Sequence, residues 1–177
     1  MDRPGAEADA EARNEFSALY RTYAGDVRRF ALFLSGDPSL ADDLVSETFI
    51  RMWKARARVD LTTVKAYLFA IARNLYLHHR RRDRRFSELG AEPRDPAPGP
   101  HERAHAREEW QAVLGALQML PEVDRAAVLM RADAGLPYDE IARALGISEA
   151  AAKVKVHRAR MKLAVARHRA APADRAQ

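Results

Sequence analysis

Lys153, Lys155, His157, Arg158, Arg160 and Lys162 crowd one short segment, and every one of them can donate to an acceptor or hold positive charge against a polyanion. Between them Ala152, Val156, Ala159 and Leu163 recur at steps of three and four, so the segment reads as a helix with a narrow inward seam and donors around it. Such a helix can enter a major groove, where Arg and Lys meet guanine O6 and N7 and neighbouring phosphates. A second basic run holds Arg73, Arg80, Arg81, Arg82, Arg84 and Arg85. His78 and His79 within it invite a zinc reading, but adjacent helical side chains point about 100° apart. The chain has no Cys and two adjacent histidines do not make a ligand set, so no metal is expected. Asp42, Asp43 and Glu47 could take Mg²⁺ through oxygen, although an acidic contact face is the stronger reading. With no Cys, no Gly-rich phosphate loop and no HExxH pair, neither catalytic residue nor cofactor is expected, which leaves a small hydrolase or nuclease with little support.

The elements that position these groups follow from pattern. The chain has 177 residues, 47% of them hydrophobic, few aromatics and few β-branched runs, which predicts an all-α protein with room for two small domains. Its net charge of +5 is segregated, with acids early and bases in the two runs above, so more than one kind of partner surface is expected. Absent cysteine fits a reducing compartment. No apolar stretch approaches a membrane span or an export signal, so a cytoplasmic protein without membrane insertion is expected.

Residues 1–11 are small and charged and are expected to fray as an arm. Phe16, Leu19, Tyr20, Tyr23, Val27, Phe30 and Leu34 form one stripe of a first helix, ended by Ser35-Gly36-Asp37-Pro38. A second helix has Ser39 as its expected cap, Asp42 at the capping-box position, and Leu44, Val45, Phe49, Met52 and Trp53 as its apolar face. After a loop at 59–63, Val64, Tyr67, Leu68, Ile71 and Leu75 mark a third, giving a first domain at 12–86. Four prolines between Pro93 and Pro100 predict a flexible linker at 87–104. The second domain, 105–169, opens with the stripes Trp110, Val113, Leu114, Leu117 and Val123, Ala127, Met130, and a frayed tail follows at 170–177. Within it, Leu136 to Glu149 reads as a short helix, a glycine turn and a new capped helix. Gly146 suits a left-handed turn and Ala142 a close helix crossing, which together make a helix-turn-helix.

Tyr138 to Leu145, Gly146-Ile147-Ser148 and Lys153 to Arg160 resemble the promoter-recognition region of extracytoplasmic-function (ECF) sigma factors, members of the sigma-70 family of RNA polymerase subunits. Ala41 to Phe49 resembles that family's polymerase-binding helix, and Tyr67 to Asn74 its promoter-melting helix. The resemblance covers roughly residues 13–168 in the family's order. The chain departs from it at Ser46, Tyr67, Ala151-Ala152 and Val154, positions that bear on promoter preference and helix packing.

The resemblance implies a non-enzymatic factor with three kinds of partner: core RNA polymerase, promoter DNA and an anti-sigma factor. Asp42, Asp43, Glu47 and Phe49 would meet the clamp region of the polymerase's large subunit. Val59, Tyr67, Arg73, Asn74, Arg80 and Arg81 would serve the minus-10 element, Asn74 at a pocket for a base pulled from the stack and the arginines on phosphates. Ser148, Lys153, Lys155, His157, Arg158 and Arg160 would serve the minus-35 element, with Arg158 reading a base edge. The competing function is a helix-turn-helix regulator that binds a palindromic operator as a dimer without polymerase.

Overall fold

The computed structural model describes residues 4–55, 63–88 and 104–170, and all the regular structure among them is helical. The elements are α1 (Pro4–Ser35), α2 (Pro38–Ala55), α3 (Val64–Glu88), α4 (Ala104–Gln118), α5 (Glu122–Ala132), α6 (Tyr138–Leu145) and α7 (Glu149–Ala170). The all-α expectation holds. Val59 and the four-proline segment lie outside the described residues.

Two helix starts differ from expectation. α1 begins at Pro4, inside the arm expected to fray, because proline is tolerated in a first turn and the Ala/Glu-rich stretch behind it has high helix propensity. At α2 the cap is Asp37, whose Oδ1 accepts from the backbone N–H of Ser39 at 2.8 Å and of Leu40 at 3.1 Å. Pro38 occupies the first helical position, which leaves the capping role to the residue before it and not to Ser39. Asp42 is thereby free of a capping box and pairs with Arg28 of α1, Nε to Oδ1 2.6 Å.

α1, α2 and α3 form the first lobe around Val27, Phe30, Leu34, Leu44, Leu68, Phe69 and Leu75, all buried, with Phe30 stacked on Phe69 at 4.6 Å. α4 to α7 form the second, around Leu117, Met130, Ile141, Val156 and Ala159. A single stripe was expected on α5, yet every residue from Asp124 to Met130 is buried. The reason is position: α5 packs on α6 and α7 on one side and on α1 and α3 of the first lobe on the other.

The lobes, expected to be joined by a flexible linker, also share a polar seam. Arg73 Nε and Nη2 donate to the Glu122 carboxylate at 2.6 and 2.8 Å, and Arg29 Nε donates to Asp133 at 2.8 Å. The last carbonyls of α1, orphaned by helix geometry, accept from the second lobe: Phe33 O from Gln118 Nε2 at 3.1 Å, Leu34 O from Arg125 Nη1 at 2.8 Å. Trp110 of α4 leaves its expected core stripe, stays partly exposed, and packs on Phe33 with ring centroids 5.0 Å apart.

The helix-turn-helix has the expected chemistry. Gly146 ends α6 in the left-handed region, φ 66° and ψ 39°, and Ile147 N–H returns to Ala142 O at 3.0 Å. Ser148 then caps α7, its Oγ accepting from Ala151 N–H at 3.2 Å. Ile141, Ala142 and Leu145 are buried in the corner.

Candidate nucleic-acid interface

α7 is clamped to α5 and α6 by Ala152, Val156 and Ala159, all buried. That leaves two polar flanks and an outer ridge. On one flank Lys153, His157 and Arg160 are exposed, with Lys153 Nζ 2.6 Å from Glu149 and 5.7 Å from the centre of the Tyr138 ring. The hydrogen bond to Glu149 raises the Lys153 pKa above its ordinary value. On the other flank Arg158 is held: Nε donates to Asp124 Oδ2 and Nη2 to Oδ1, both at 2.6 Å, while Lys155 Nζ lies 3.7 Å from the same carboxylate. Val154 and Met161 stand exposed on the ridge between the flanks.

Asp124 is fully buried, and sequence reasoning missed it. Burial pushes its carboxyl up, but the hydrogen bonds and charge of Arg158, with Lys155 and Lys162 behind, leave it below its ordinary value of 3.8. A signal was present: it is an acid in a helix that is otherwise apolar on that side, and such a group needs a cation.

α3 divides the expected minus-10 residues between two faces. Positions 67, 74 and 81 fall seven apart, on one side of the helix; Asn74 and Arg81 are exposed there and Tyr67 is half-buried. Arg73 and Arg80 lie on another side. Arg73 is buried against Glu122, and Arg80 sits over the Tyr76 ring at 5.8 Å. Arg73 thus differs from expectation: in this arrangement its guanidinium is committed to the second lobe and offers nothing to a phosphate.

On α2, Asp43 is exposed and makes no ion pair among the described residues, Asp42 holds Arg28, and Glu47 holds Arg51 at 2.7 Å. Phe49 departs from the role that the resemblance implied and lies where the apolar stripe of α2 puts it. It is 2% exposed and packs edge-on against Phe16 and Tyr20, so it belongs to the lobe's own core, and its neighbour Ile50 is the apolar residue that faces outward.

The profile of Sigma-70 region 2 matches residues 19–86 and that of Sigma-70 region 4 matches residues 110–163. The ECF RNA polymerase sigma factor SigM of Bacillus subtilis is 32% identical over 150 residues, covering 82% of this chain and 90% of SigM. The chain belongs to the ECF sigma factors. Members of this family are initiation factors, not enzymes, that act with RNA polymerase in promoter-specific transcription. This sigma factor is also 34% identical over 164 residues to SigE of Mycolicibacterium smegmatis, covering 89% of the chain and spanning 63% of SigE's length. Its fold is similar to that of the Bartonella quintana sigma factor RpoE, solved in complex with the anti-sigma factor NepR, with a TM-score of 0.74, 27% identity, and coverage of 91% of this chain and 99% of that one. No described helix of the sigma factor is long and apolar enough to cross a membrane.

Proposed function

We propose that this sigma factor binds core RNA polymerase through the exposed acidic side of α2, reads the minus-10 element and assists its melting with α3, and reads the minus-35 element with α7. Asp42, Asp43 and Glu47 supply the acidic face, and Ile50 supplies its apolar edge. Tyr67, Asn74 and Arg81 share one side of α3, on which Asn74 and Arg81 are exposed, and an amide there can hydrogen-bond the edge of an extruded base. Lys153, His157, Arg158 and Arg160 flank the outer ridge of α7, where guanine edges and phosphates come within reach. Ser148 caps α7, so its contribution is to fix the helix start, with its hydroxyl proton left for a phosphate.

The observation that carries this reading is a glycine-turned helix-turn-helix with a donor-lined second helix, on the same chain as a three-helix lobe that matches Sigma-70 region 2. The two elements lie about 25 base pairs apart, roughly 85 Å at 3.4 Å per step, whereas α3 and α6 touch in this structure. The lobes therefore part when both elements are engaged, and Arg73 becomes available to phosphates at that point, beside Arg80, which is already exposed. By analogy with the Bartonella relative, an anti-sigma factor is the expected antagonist. The site of action is the cytoplasm, at the nucleoid once holoenzyme forms.

In vitro transcription tests this. The purified chain with core polymerase should give discrete start sites preceded by an asymmetric two-part promoter, and neither component alone should do so. Asp43→Arg with Glu47→Arg should abolish association with core. A chain that shifts a palindromic site unaided and leaves core polymerase unselective would be a regulator instead.

A further inference from the structure

Arg158 and Asp124 come from different helices, and their burial is asymmetric, unlike that of Arg73 and Glu122, whose side chains are each 11% exposed. The carboxylate is fully buried, while the Arg158 side chain keeps 50% of its surface exposed. The carboxylate takes the side edge of the guanidinium, Nε–H and one N–H of Nη2. The end edge, formed by Nη1 and the other N–H of Nη2, makes no hydrogen bond among the described residues. That end edge is the fork that matches guanine O6 and N7. Lys155 on the same carboxylate leaves the cluster one positive charge in excess, so the pair is not neutralised toward DNA.

We infer that Asp124 is a positioning residue for promoter recognition: from α5 it clamps Arg158 of α7 in the one rotamer that presents its end edge to a guanine of the upstream element. An unclamped arginine loses rotamer freedom when it docks and can settle on a phosphate; a clamped one has already lost that freedom and is aimed at the base. Base preference at that position is then written on two helices, only one of which touches DNA. The inference rests on the assignment of α7 to the minus-35 element.

The test uses the full chain with core polymerase on promoters carrying each single base-pair substitution in the upstream element. Arg158→Ala and Asp124→Asn should flatten preference at the same base pair, each by roughly tenfold, and the double substitution should add little to either. Binding of the free Asp124→Asn chain to non-promoter DNA should hold or rise, because a negative charge has been removed, and a fold defect would not produce that split. Thermal unfolding of each variant separates misfolding from misreading. Asp124→Glu, which keeps the charge and moves the carboxylate by one methylene, and Arg158→Lys, which keeps an ion pair and removes the fork, should show the same loss. If Arg158→Ala flattens the preference while both Asp124 variants keep it, Asp124 is a structural anion only and the inference falls. If Arg158→Ala changes no base preference at all, the assignment of Arg158 as a reader fails first and takes the inference with it.

Discussion

Phe49 and Ile50 are neighbours on α2, both apolar and both in a segment whose likeness points to polymerase binding, yet they do opposite jobs. Phe49 fills the gap between the Phe16 and Tyr20 rings, whereas Ile50 is 52% exposed. Phe49→Ala should therefore cost about 3–5 kcal/mol of stability, read from the denaturant midpoint. Ile50→Ala should stay within about 0.5 kcal/mol of the parent and weaken association with core polymerase instead; a core-binding loss from Phe49→Ala in a chain of undiminished stability would reverse the assignment. Helical spacing already puts Phe49 in the apolar stripe of α2 that α1 covers, and leaves Ile50, one step round the helix, outside it. Phe49, Asp43, Glu47 and Asn74 were therefore legible from spacing, while the burial of Arg73 was not: a resemblance transfers a position along the chain, and the burial of a charged residue is decided by the partner helix.

At the scale of elements, the periodicities located the helices, and the sequence around Gly146 contained the turn outright because only a residue without Cβ enters the left-handed region at little cost. Caps were less legible, since Asp37 and Ser39 are both good cap types and only the proline between them decides. The clamp between α5 and α7 was invisible, because no local pattern pairs residues 124 and 158. It has a pH signature. The folded-state pKa of Asp124 is depressed, so its contribution to stability is complete above the ordinary value of 3.8 and is lost as pH falls through the lower folded value. Measured as unfolding midpoints across a pH series, the gap between the parent and Asp124→Asn should be widest near neutrality and close in acid below 3.8. A gap that stays constant to the most acidic point would mean that the carboxylate is not what holds the two helices.

For the whole molecule, the two lobes and their order could be read from the linker prolines and the two basic runs, but their closure could not, because Arg73 and Glu122 are brought together by a surface that neither lobe reveals alone. Arg73 and Glu122 are each only 11% exposed in their side chains. Removing one partner leaves the other buried without compensation, a loss of about 3–5 kcal/mol when a pair is fully enclosed and less at a seam where water can enter. Glu122→Ala should therefore open the chain. The protein has no cysteine, so labels on cysteines introduced at Arg21 and Arg167 report lobe separation cleanly, and the distance should lengthen and broaden. Exchanging the charges, Arg73→Glu with Glu122→Arg, should bring it back. Arg29 and Asp133, by contrast, meet in the open, with side chains 45% and 28% exposed. Dissolved ions weaken such an exposed pair while they also weaken phosphate contacts, and these two effects oppose each other. Plotted logarithmically against ionic strength, promoter occupancy should then bend, flat where loosening of the seam compensates for screening and steep beyond it, where a permanently extended protein would give a straight line.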